Sequence, residues 1–152
     1  MHILMCNDDG ILADGLRRLA SYLSQYYRIT VVAPANEQSA KSHALTTEIP
    51  LKLDAYNGED ENPRLYALTG TPSDCMKFGL SYLLSDDMPD LVISGINHGF
   101  NLGSDVLYSG TVSAAMESCF YGIPGLALSV ERYSPERGDE MHPFIHELIE
   151  KI

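Results

Sequence analysis

The stretch HILMCNDDG, residues 2–10, joins a short apolar run, His2–Cys6, to the polar turn Asn7-Asp8-Asp9-Gly10. The run is too short for a helix and reads as a buried strand. Arg28–Ala33 (RITVVA) repeats the pattern with β-branched residues, and Pro34 stops it. Asp90–Ser94 (DLVIS) and Gly125–Val130 are the third and fourth such strands. Helical spacing lies between them. Leu16, Leu19, Ala20 and Leu23 recur on one face after Asp14, which can cap that helix. Apolar strands alternating with helices predict a parallel sheet covered on both sides. The expected fold is therefore α/β, a Rossmann-like three-layer α/β/α sandwich with a mainly parallel sheet.

Further elements fill the gaps. Leu65–Leu68 is a short strand, and Thr46–Tyr56 is extended or a hairpin. Asn57–Pro63, NGEDENP, is the clearest turn. Thr71-Pro72-Ser73-Asp74 has an N-cap residue, a proline for the first helical position and an acid for the third, so a helix runs from there to about Leu84. Met76, Leu80 and Leu83 or Leu84 form its core stripe. A glycine-rich loop is expected over 95–109, a helix over 111–121 ended by Gly122-Ile123-Pro124, a charged linker over 131–140, and a last helix over 143–152. The polar loops at 7–10, 34–43 and 95–110 each follow a core strand. In a parallel sheet all three share the edge where ligands bind.

Bulk properties narrow the function. At 152 residues the chain fits one domain, and 45% hydrophobic residues is ordinary for a soluble globular protein. A net charge of -11 argues against nucleic acid as a partner. A small phosphate ester remains compatible, because one bound cation reverses the local field. No run is long enough to span a membrane, and MHILMCNDDG lacks the basic and apolar regions of a secretory signal. Cys6, Cys75 and Cys119 form no CxxC and are expected as small buried hydrophobes in a reducing, cytoplasmic compartment.

Asp8 and Asp9 carry the chemistry. Two adjacent carboxylates after a buried strand repel one another, and a hard divalent cation resolves that conflict. Within a strand they would face opposite ways, so the backbone must have turned, which Gly10 permits. The structural alternative is one aspartate capping the next helix and the other solvated. Ser39, Asn97 and Asn101 offer neutral oxygens at the same edge. Ser109-Gly110-Thr111 stands at a helix start, where free N–H groups favour a phosphate, or it is a plain cap. Neither GxGxxG nor GxxxxGK[ST] occurs. His98 either protonates a leaving group or lies outside the chemistry. His142 and His146 have i,i+4 spacing, but Glu147 is misplaced for HExxH, so they read as a solvated helix face.

The segments NDDG (7–10), VVAPANEQSAKSHALT (31–46), GTPSDC (70–75), SGINHGFNLGSDVLYSGTVSAAMES (94–118) and GIPGLALS (122–129) resemble the SurE family of survival proteins. NDDG alone is weak; the run from Ser94 to Ser118 is highly specific. The resemblance implies a metal-dependent 5'-nucleotidase or acid phosphatase that hydrolyses nucleoside monophosphates and other phosphomonoesters. It implies one divalent ion per subunit, magnesium or manganese, on Asp8, Asp9, Ser39 and Asn97. It places Ser109, Gly110 and Thr111 on the phosphate side; Asn101, with a neutral oxygen at the same edge, is expected as a further substrate contact. Asp8, Asp9, Asn97 and Ser109 are the expected catalytic set, and one of the two aspartates could act as nucleophile or base. A homodimer is expected, with a homotetramer as the alternative. The family commonly runs much longer, so residues 1–152 are expected to form one SurE-like domain without the family's C-terminal portion. Lys41 and His43 inherit no role.

Two other functions stay open on the residues alone. One is a metal-dependent nucleoside hydrolase, and the other a nucleotide- and metal-binding module without turnover. Gly110→Val is expected to exclude phosphate while leaving the metal residues free.

Overall fold

In the computed structural model, residues 1–58 and 60–152 are described. The strands are β1 (His2–Cys6), β2 (Arg28–Pro34), β3 (Leu53–Ala55), β4 (Arg64–Leu68), β5 (Leu91–His98) and β6 (Gly125–Val130). The helices are α1 (Asp14–Leu23), α2 (Pro72–Phe78), α3 (Gly110–Glu117) and α4 (Pro135–Ile149). One six-stranded sheet has the order β3-β4-β2-β1-β5-β6. Only β3 is antiparallel, pairing Leu53 with Leu68. It is all that forms a strand within the extended segment expected over 46–56. Of the expected 57–63 turn, Glu59 lies outside the described residues.

Alternation along β1 builds both cores. Ile3 and Met5 point to one face and pack with Leu16, Leu19, Leu23, Ile145 and Ile149 of α1 and α4. Leu4 and Cys6 point to the other and pack with Cys75, Met76, Leu80 and Ala114 of α2, its extension and α3. All five β1 residues are buried, as a strand covered on both sides requires. From β1 the chain moves outward to β2 and β4, then crosses back to β5 on the far side. The connections reverse between β1 and β5, and a crevice opens at their C-terminal ends.

Several boundaries differ from expectation. The N-cap of α1 is Ala13, and Asp14 is the first helical residue, its charge facing the helix dipole instead of capping it. The capping box at Thr71 and Asp74 forms as expected; Thr71 Oγ1 accepts the Asp74 N–H at 3.1 Å, and Asp74 accepts the Thr71 N–H at 2.9 Å. Beyond Phe78 that helix continues as a π-helical turn, Gly79–Leu83. The third core strand does not stop at Ser94 but runs to His98, through a register shift between Ser94 and Asn97. Gly95 enables this. Its φ is +124°, and a Cβ there would collide with the Leu128 carbonyl oxygen. After α3 the chain tightens into a 3-10 turn, Ser118–Tyr121. Cys119 on that turn is exposed, against expectation, whereas Cys6 and Cys75 are buried.

The expected linker over 131–140 is largely helix. Ser134 caps α4 by accepting the Arg137 N–H at 3.3 Å, and Pro135 takes the first helical position. Pro143, expected to begin the last helix, lies inside it on the exposed side. Tertiary contacts hold the helix through that proline. Arg18 binds Asp139 at 2.6 Å, and Ile145 and Ile149 are buried. His142 is not solvated but buried against Tyr22, ring centroids 5.1 Å apart.

Burial pushes the His142 imidazole below its usual range, with Asp139 opposing. His2 shifts the same way through burial and the Arg28 charge. The folded state therefore prefers both rings neutral. This contribution is complete above about pH 6.5, the ordinary imidazole value, and is lost as pH falls below it. The melting temperature is expected to drop between about pH 7.5 and pH 5, and His142→Phe to reduce that drop, because Nε2 of His142 has no partner to lose. Thermal scans at both pH values measure it.

Candidate active site

The turn after β1 is closed by its own first residue. The buried Asn7 donates Nδ2 to the Gly10 carbonyl and accepts the Gly10 N–H at Oδ1, both at 3.1 Å. Gly10 sits at φ +99°, and the turn lifts Asp8 and Asp9 off the sheet edge. Asp8 is buried, and its Oδ1 accepts the Thr111 hydroxyl at 2.6 Å. Its carbonyl accepts the Gln38 N–H at 2.8 Å, which fastens the loop after β2 to this turn. On that loop the exposed Ser39 hydroxyl donates to Glu37 Oε1 at 2.7 Å.

The asparagines come from the other side of the crevice. Asn97, on the last part of β5, donates Nδ2 to the Gly99 carbonyl at 2.8 Å. Asn101 donates Nδ2 to Ser129 Oγ at 2.6 Å. In both, the nitrogen is engaged and Oδ1 has no partner among the described residues. Ser109 is the N-cap of α3, accepting the Val112 N–H at 3.1 Å. The N–H groups of Gly110 and Thr111 have no partner among the described residues.

These parts surround one cavity of about 650 Å³. Asp8, Asp9, Ser39, Asn97, Asn101 and Ser109 all line it; Gly110 and Thr111 lie behind the lining. A Cβ on Gly110 would stand 2.9 Å from Asp8 Cβ and 3.1 Å from Asp8 Oδ2. This alters the expectation for Gly110→Val, because any side chain there displaces Asp8 as well as blocking a phosphate. Asp14, Glu37 and Asp105 add acidic lining, so among the described residues five carboxylates and no Lys or Arg face the space. Burial raises the Asp9 carboxyl above its usual range, the Asp8 charge adds to this, and the His98 backbone N–H opposes it. Such a cavity repels a phosphate dianion unless a cation is present.

The donors fit a hard divalent ion: two carboxylates, one hydroxyl and one amide oxygen. Among the described residues no group of three or more His, Cys, Asp and Glu side chains is arranged to hold a metal. A cation at Asp8 and Asp9 would complete its shell with neutral oxygens and water.

Several contributors escaped sequence reasoning. Asn7 had a readable signal, an Asx residue three positions before a turn glycine. Asp14, Glu37 and Asp105 come from three separated segments and carry no common spacing. Phe100, Tyr108 and Tyr133 also line the cavity. His43, given no role, binds the buried Glu117 at 2.6 Å and ties its loop to the end of α3. No helix among the described residues is long and apolar enough to cross a membrane.

Relatives of known name share this chain's sequence and fold. A 5'-nucleotidase SurE of Thermoanaerobacter sp. (strain X514) is 49% identical over the whole chain, which spans 60% of that relative. A 5'-nucleotidase SurE of Vibrio vulnificus (strain YJ016) is 50% identical over 86% of the chain and 49% of its own length. The chain thus spans about half to three-fifths of these curated relatives. The crystal structure of the SurE protein from Aquifex aeolicus superposes with a TM-score of 0.87 at 38% identity, covering 99% of this chain and 59% of that one. The profile of the survival protein SurE family matches residues 3–152. With a match over that span, the chain belongs to the SurE family of survival proteins.

Proposed function

We propose that this chain carries the metal- and phosphate-binding site of a 5'-nucleotidase, which hydrolyses nucleoside 5'-monophosphates to nucleoside and phosphate. The supporting observation is a cavity beside a helix start that is lined, among the described residues, by five carboxylates and no Lys or Arg. Only a bound cation makes that lining attractive to a phosphomonoester. The names of the relatives point the same way. Asp8, Asp9, Ser39 and Asn97 would hold magnesium or manganese, one ion per subunit. The ion supplies Lewis-acid polarisation of a phosphoryl oxygen. Ser109 keeps its hydroxyl proton available, because its oxygen accepts from Val112. It donates that proton to an equatorial phosphoryl oxygen, and the N–H groups of Gly110 and Thr111 add the positive end of the α3 dipole. Asn101 Oδ1 accepts from a sugar hydroxyl.

The phosphate end does not need 650 Å³. Phe100 and Tyr108 are 53% and 63% exposed and offer apolar faces to a nucleobase. Phe100→Ala is expected to raise KM for a nucleoside monophosphate by roughly 5- to 150-fold, the value of about 1–3 kcal/mol of stacking. KM for glycerol 2-phosphate, which has no ring to stack, should not change. Equal effects on both substrates would remove Phe100 from base recognition.

The same reading includes a homodimer, or alternatively a homotetramer, supported by the exposed Leu102, Leu107 and Phe120, and a cytoplasmic setting, supported by three free thiols. Light scattering and cell fractionation test these. For the activity, the chain is incubated with AMP and manganese, with and without EDTA. Release of inorganic phosphate that EDTA abolishes is expected. Release of free adenine would instead indicate a nucleoside hydrolase, and binding with neither product a module without turnover.

A further inference from the structure

Thr111 is fully buried, stands outside the cavity lining, and directs its hydroxyl at Asp8 Oδ1 from 2.6 Å. A threonine hydroxyl has one proton to donate. Here that proton is committed to a carboxylate, in a charge-assisted bond that joins residues 103 positions apart. The oxygens of a phosphate dianion only accept, so the Thr111 hydroxyl, its proton already committed, has nothing left to offer one. Ser109 is in the opposite state, accepting from Val112 with its own proton free.

We infer that Thr111 is a positioning residue for Asp8: its hydroxyl fixes Oδ1 and thereby presents the other carboxylate oxygen, Oδ2, to a divalent cation. This rests on the reading that Asp8 holds that cation. Two features make the hold rigid. The β-branched side chain is stiff at χ1 and sits in the first turn of α3. The absence of a side chain at Gly110 brings that turn against Asp8. The bond also meets the hydrogen-bond demand of a buried carboxylate oxygen, which is costly to leave unpaired. Partners one layer behind a metal ligand orient it in this way, and their loss typically weakens metal binding about 10- to 100-fold.

The test compares wild type, Thr111→Val, Thr111→Ser and Asp8→Asn by manganese titration calorimetry and thermal melting, without substrate. Inorganic phosphate is then titrated at saturating manganese. Thr111→Val has the same shape without the hydroxyl, and is expected to weaken manganese binding about 10- to 100-fold while phosphate affinity at saturating manganese holds. Thr111→Ser, which retains the donor, is expected to bind manganese close to wild type. If Thr111→Val does not fold, Thr111→Ala takes its place against the same serine control. Unchanged manganese affinity in Thr111→Val, with or without weaker phosphate binding, would overturn the inference. A serine variant as weak as the valine variant would overturn it too, showing that packing and not the hydroxyl matters. An Asp8→Asn protein binding manganese as well as wild type would show that the underlying assignment of Asp8 fails, and the inference with it.

Discussion

Asp8→Asn is expected to reduce phosphate release from a nucleoside monophosphate by roughly 10²- to 10⁴-fold, the worth of several kcal/mol of charge stabilisation by a cation. The fold should survive. Asparagine has the same shape, and its oxygen can still accept the Thr111 hydroxyl that now meets Asp8 Oδ1. The Asp8 carbonyl, which anchors Gln38, is untouched by the change. The lost carboxylate lies between the C-terminal ends of β1 and β5, where the sheet topology reverses, and the remaining acid at that turn is Asp9. A phosphate-release assay across a manganese series, beside a melting curve, reads the outcome. Near wild-type turnover in manganese would remove Asp8 from the site.

Gly110→Val should be nearly as damaging, for a reason the sequence did not suggest. The new Cβ would meet Asp8 Cβ at 2.9 Å and Pro72 Cγ at 3.1 Å, both in packed surroundings. Overpacking of this kind typically costs about 1–3 kcal/mol. Relief requires α3 to shift or Asp8 to turn, and either moves the carboxylate and the helix start apart. Turnover is expected to fall at least ~100-fold, as for loss of one oxyanion donor. Manganese binding should weaken along with it, and the melting temperature should drop. Gly110→Ala places the same Cβ and should show the same pattern in milder form. A folded valine variant with wild-type manganese affinity and turnover would show that the contact between α3 and Asp8 is irrelevant to the site.

How much of this was legible in the sequence depended on whether a signal was local. The apolar runs of β1 and β2 are buried strands because nothing in them can face water, and local pattern suffices to see that. The capping box at Thr71 and Asp74 is a matter of three residues and forms as expected. By contrast, Gly95–His98 looks like loop because of its glycine and polar residues, yet it is strand. Only the approach of Leu128 on β6 explains the glycine, and that approach is a tertiary fact. Residues 131–140 read as a charged linker because their apolar partners are few. Arg18 on α1 and the Ser134 cap make 135–140 helix. Pro143 misled in the same way, since docking of α4 on α1 overrides the local preference to break there. At the site, Asp8, Asp9, Ser39, Asn97, Asn101 and Ser109 converge because three strand ends share one edge. Thr111 and Asp8 each stood out, but the hydrogen bond that joins them across 103 residues did not.

On the proposed function, the acidic lining would make the site a coincidence detector. With five carboxylates and no Lys or Arg among the described residues of the lining, phosphate alone would meet repulsion. With a cation in place it meets attraction. Coupling between two ligands is reciprocal, so whatever factor the cation adds to phosphate affinity, phosphate returns to the cation. On the proposed function, a chain starved of divalent ion would bind nucleotide poorly, and a chain holding nucleotide would bind its ion more tightly. A lysine or arginine in the lining would have uncoupled the two by serving as a permanent counter-charge.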